Sequence, residues 1–138
     1  MKKLLLLLFF IPNLLIADIT PLKDINEISD SMNLYRFQRC SALYFSSEWL
    51  FEISNKPDLA NQMNEKGKSL SGIAFVFAQS KPELKNITAD SNAKVIISIR
   101  DLYIADMNSA RASSGNYTGG VAGQDLELCG ALYNQINK

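Results

Sequence analysis

The chain is predicted to be mostly α: a small bundle of about four amphipathic helices, stapled by one disulfide and preceded by a cleaved export signal. Three observations point there. Apolar residues recur at helical spacing in four successive segments, as the buried faces of packed helices require. Proline- or glycine-containing joints separate these segments. The sequence has two cysteines, both beyond an amino-terminal stretch built like a secretory leader.

The leader is read first. Lys2 and Lys3 supply a positive start, Leu4 to Ile11 an apolar run, and Ala17 a small residue at the expected cut. The run from Leu4 to Ala17 is short of the roughly 20 residues a membrane span needs. Cleavage after Ala17 would assign residues 1–17 to a signal peptide and residues 18–138 to a single helical domain, placed in the periplasm or outside the cell. Asp18, not Cys, follows the cut, so no lipid attachment at a new amino-terminal cysteine is indicated.

The first helix is expected from about Asp24 to Ile53, after Thr20-Pro21 and before Asn55-Lys56-Pro57. Ile25, Ile28, Met32, Cys40, Leu43, Leu50 and Phe51 gather on one side. Leu34, Phe45 and Trp49 fall elsewhere, which suggests cover on more than one face. The second helix, about Asp58 to Gln79, follows Pro57 and carries Leu59, Met63, Leu70, Ile73, Ala74 and Phe77 on a shared face. Gly67 and Gly72 weaken its middle, each by roughly 1 kcal/mol against alanine.

The third helix, about Asp90 to Ala112, places Ala93, Ile96, Ile97, Tyr103, Ile104, Met107 and Ala110 on one arc. The β-branched Val95-Ile96-Ile97 makes a strand over 95–99 the rival reading. Ser113 to Gly120 is a loop by composition, and a loop there could present Tyr117 to a partner. The fourth helix, about Ala122 to Ile136, carries Leu126, Cys129, Leu132, Tyr133 and Ile136. Short joints suggest up-down alternation.

Cys40 and Cys129 are expected to bond, closing most of the chain into one loop, worth on the order of 4 kcal/mol by chain entropy. The formal charge is balanced, and loss of Lys2 and Lys3 leaves the mature chain slightly acidic. Without a basic patch it is not expected to bind nucleic acid, where phosphate contacts supply most of the affinity.

The sequence has no histidine. Nucleophilic sites that use a histidine base lose that base, and histidine zinc or di-iron sites lose their ligands. The Gly115–Gly123 region holds neither a phosphate-loop lysine nor the dinucleotide fingerprint. Glu48 and Glu52 share a helix face but lie away from the apolar arc, as a solvated pair would. No catalytic residue, metal ligand or cofactor is expected.

The expected function is therefore a non-catalytic binding or protein-interaction module, partnered by another exported protein. The alternative is a carrier of a small apolar or anionic ligand in the bundle core, with an enzyme ranked last. One constellation hints at a site. Arg36, Arg100 and Asp125 each fall on the apolar arc of their helix. Desolvating charges is expensive, so such residues would need one another, Asp101, or a bound anion.

Overall fold

The computed structural model describes residues 19–138, all outside the expected leader, so cleavage after Ala17 lies beyond the described residues. After a single 3-10 turn at Leu22–Asp24 come four helices: α1 (Asp30–Ile53), α2 (Pro57–Ser80), α3 (Ala89–Ser114) and α4 (Val121–Ile136). A second 3-10 turn, Pro82–Leu84, lies between α2 and α3. Residues 95–99 are helical: Ile96 and Ile99 turn inward while Val95 and Ile97 stay exposed, so the helical spacing of the buried positions prevails over the β preference of Val95-Ile96-Ile97.

Helix ends follow local chemistry. α1 starts at Asp30, later than the Asp24 expected from apolar spacing. The Ser29 side chain accepts from the Met32 N–H at 3.1 Å, satisfying one amide that an uncapped helix would leave bare. Ile25, with φ −92° and ψ 99°, is extended, so Ile25 and Ile28 belong to a strap, residues 19–29, rather than to the helix. Pro57 opens α2, where its missing N–H costs nothing. Thr88 and Ser91 form a reciprocal capping box at the start of α3. Gly115, at φ +75°, ends α3 in the left-handed conformation that glycine adopts without strain.

α1 is the axis of the molecule. Every residue from Gln38 to Tyr44 is buried, so it is covered on all sides, in line with its lack of a single apolar stripe. α2 lies antiparallel along it: Asp30 meets Lys81, Ser41 meets Gly67 and Glu48 meets Asn64. The approach is close because the facing residues are small. Gly67 lies under the Phe45 ring, and a Cβ built there would fall 2.8 Å from it. Ala60, Ala74 and Ala78 continue the same seam.

α3 buries Asn92, Ile96, Ile99, Tyr103, Met107 and Ala110. This arc is rotated from the expected one: Ala93 and Ile97 face outward and Ile99 faces in. α4 joins α1 through Arg39–Asp125, Cys40–Cys129 and Tyr44–Tyr133, pairs that step in the same sense along both helices. Along α3 the sense is opposite: Tyr103 meets Asp125, and Asp106 accepts from the Ala122 N–H at 2.9 Å. The core comprises Leu22, Leu43, Tyr44, Leu70, Ile96, Ile99, Tyr103, Met107, Ala122 and the disulfide, with smaller residues between.

The Cys40–Cys129 bond is present, with Cα atoms 5.2 Å apart, inside the range that disulfides span. No helix among the described residues is long and apolar enough to cross a membrane.

Candidate functional site

Arg39, Tyr103 and Asp125 meet in the interior, where α1, α3 and α4 converge beneath the strap. Arg39 is 1% exposed and Asp125 fully buried. The Arg39 guanidinium donates Nη2 to Asp125 Oδ2, Nε to the Tyr103 hydroxyl at 2.9 Å and Nη1 to the Thr20 carbonyl at 2.7 Å. The Tyr103 hydroxyl donates to Asp125 Oδ2 at 2.5 Å, and the Leu22 N–H donates to Asp125 Oδ1 at 2.7 Å. The guanidinium also lies over the Tyr35 and Tyr103 rings, 5.7 and 5.2 Å from their centroids.

These contacts set the charge states. Burial disfavours the Arg39 cation, but Tyr103 and Asp125 together outweigh it and hold the group above its ordinary value. Burial pushes the Tyr103 phenol well up; Arg39 opposes this, and the hydrogen bond to Asp125 adds to it. Tyr103 therefore stays a neutral donor, and the cation and carboxylate neutralise each other in place. Among the described residues no buried side-chain nitrogen or oxygen lacks a partner. The cluster is thus closed: its hydrogen bonds tie strap to helices and leave no group directed at a ligand.

Of the three charged residues singled out from sequence, only Asp125 enters this cluster; Arg36 and Arg100 do not join it. Arg36 is half-buried one turn before Arg39. It holds the strap, donating to the carbonyls of Ile25 at 3.1 Å and Glu27 at 3.0 Å and to Asn33 Oδ1 at 3.0 Å. Arg100 lies at the rim and pairs with its neighbour Asp101 at 2.8 Å. The arcs misled because α1 is buried all round from Gln38 to Tyr44, so no single face marks the inner one there, and because α3 is rotated.

Arg39 is the residue that wheel reasoning missed, yet a signal was present. Arg39 adjoins Cys40, and Asp125 precedes Cys129 by one turn. Once the two cysteines are joined, the cation and the carboxylate are drawn together.

Tyr117 is not held out to a partner. It packs edge-on to Trp49 at 6.4 Å between centroids, with Arg111 above its ring at 4.8 Å. Glu48 accepts from Asn64 Nδ2 at 2.6 Å and, with Glu52, Arg100, Trp49, Phe45 and Ile104, borders a rim groove in which both signs of charge occur. Among the described residues no group of acidic or sulfur side chains could hold a metal ion.

One open cleft is different in character. It lies where the strap's 3-10 turn meets α1 and α4, encloses about 340 Å³, and is lined mainly by carbon. Leu22, Leu128, Ala131, Leu132 and the Cys40 end of the disulfide form its apolar wall, and Lys23, Arg36 and Gln135 its polar edge. Comparisons with protein-family models, curated proteins and solved structures found no match for this chain.

Proposed function

We propose that the protein is a small exported, non-catalytic binding module whose recognition surface is the cleft between the strap and α4. The observation that carries this reading is the contrast between a saturated interior and an open, apolar cleft. The buried titratable groups Arg39, Tyr103 and Asp125 are engaged with one another and with the strap, so they are poor candidates for acid, base or nucleophile. The cleft is of a size at the lower end of ligand pockets, which run from roughly 300 to 1,000 Å³, and Leu128 at its mouth is 43% exposed.

Export is supported by the leader composition of residues 1–17 and by the disulfide, which persists in oxidising compartments such as the periplasm or the cell exterior. The carrier reading shares this cleft. The core positions where a carried ligand would otherwise sit are filled by Leu43, Leu70, Tyr103 and Met107, each no more than 1% exposed.

The test is secretion of the full chain, recovery of the processed form, and native mass spectrometry alongside affinity capture, with Leu128→Glu as control. The wild type should retain a partner or small molecule that the variant loses while melting at the same temperature. Identical retention by both forms would remove the cleft from consideration as the recognition surface.

A further inference from the structure

We propose that the cleft takes a short amphiphilic anion, an aliphatic tail ended by a carboxylate. This rests on the binding-module reading and names the ligand class for that site. The wall is aliphatic: Leu22, Leu128, Ala131 and Leu132 line it with no aromatic ring among them, so it suits a flexible alkyl chain better than a planar one.

The edge carries one sign of charge. Lys23 and Arg36 are cations, Gln135 is neutral, and no carboxylate lines the cleft. The strap's own acids, Asp24 and Glu27, are not among the lining residues, and Glu27 accepts from the Ser29 hydroxyl at 3.0 Å.

Arg36 is what makes this edge a built feature. Its three hydrogen bonds go to two main-chain carbonyls and an asparagine oxygen, all neutral acceptors. The guanidinium is therefore fixed in position while its charge is not compensated by a carboxylate. Arg39, Lys68, Lys81, Lys94 and Arg100 each pair with an acid, and Lys66 and Arg111 lie over tyrosine rings, whereas Arg36 and Lys23 form no ion pair among the described residues and border the cleft. A fixed guanidinium and a flexible ammonium beside an apolar wall complement a carboxylate head on an alkyl tail. With about 340 Å³ available, the tail is short.

The experiment is an NMR titration of the oxidised, processed protein with octanoate, octylamine and octanol in turn, reading the amides of Arg36, Cys40, Leu128 and Leu132. Octanoate should move these signals saturably and bind about tenfold more tightly than octylamine, since two partly exposed cations attract one head group and repel the other. Lys23→Glu should weaken octanoate roughly fivefold and leave octanol unchanged, a split that general unfolding would not produce. Leu128→Glu should weaken octanoate and octanol alike.

Octylamine binding as tightly as octanoate, or Lys23→Glu without effect, would overturn the anionic ligand while leaving the cleft as a binding surface. If none of the three probes moves the cleft amides, the ligand class falls. The cleft as recognition surface falls with it only if Leu128→Glu also fails to alter retention of the natural partner.

Discussion

The α1–α2 seam and the α1–α4 junction solve the same packing problem by opposite means. α2 follows α1 after a three-residue joint, lies antiparallel to it along its length, and is held by close approach of small residues. α4 arrives late in the chain, shares far fewer neighbours with α1, and is held by a disulfide, a buried ion pair and a strap. Neighbours in sequence cost little entropy to bring together, so dispersion and burial suffice for the first pair. A distant helix with a small contact face needs covalent or strongly directional links. Those links also leave α4 with an exposed flank, and the cleft is on that flank.

Breaking the disulfide should separate the two regions most. It closes a span of 89 residues, so Cys40→Ser with Cys129→Ser should cost about 4–5 kcal/mol. Hydrogen exchange would then show α4 amides losing protection before those of α1 and α2; uniform loss would mean that α4 is no weaker than the hairpin.

Next in size, Asp125→Asn should cost about 3 kcal/mol in chemical denaturation, because Arg39 keeps its charge in a buried site without a counter-ion. A change under 1 kcal/mol would mean that water reaches Arg39 once the pair is broken.

Alkaline titration gives a smaller, graded effect. The native Tyr103 phenol is raised above its unfolded value near 10, so the folded state keeps a proton that the unfolded state releases. The stability Tyr103 contributes is thus complete below pH 10 and lost as pH rises above it, at about 1.4 kcal/mol per pH unit. Tyr103→Phe should remove that part of the slope, and an unchanged slope would assign it to other groups, Tyr44 among them.

The smallest effects compare two glycines of α2. Gly67→Ala gains helix propensity but drives a methyl into the Phe45 ring, for a net loss of about 1 kcal/mol. Gly72→Ala meets nothing within 4 Å and should stabilise by about 0.7 kcal/mol. Thermal melts of both variants would check this, and equal signs would mean that the seam is looser than its geometry implies.

Local chemistry was legible in the chain before any contact was known. The four helices, the break before Pro57 and the pairing of Cys40 with Cys129 follow from spacing, turn residues and cysteine number, all of which act within a few residues or through a single covalent possibility; α3 runs on to Ser114, two residues past the expected Ala112. The Ser29-Asp30 cap was legible too, though apolar spacing at Ile25 and Ile28 masked it.

Only the tertiary structure decided which face of each helix turns inward. A wheel assumes one wet side and one dry side, and α1 has no wet side between Gln38 and Tyr44. A wheel therefore puts Arg36 where Arg39 belongs and draws Arg100 inward from the rim. The cleft was equally out of reach, since its wall joins Leu22 and Lys23 to Leu128 and Leu132 across almost the whole chain. Periodicity reports the environment along one helix; a surface assembled from a strap and two helices exists only once the long-range links have fixed their places.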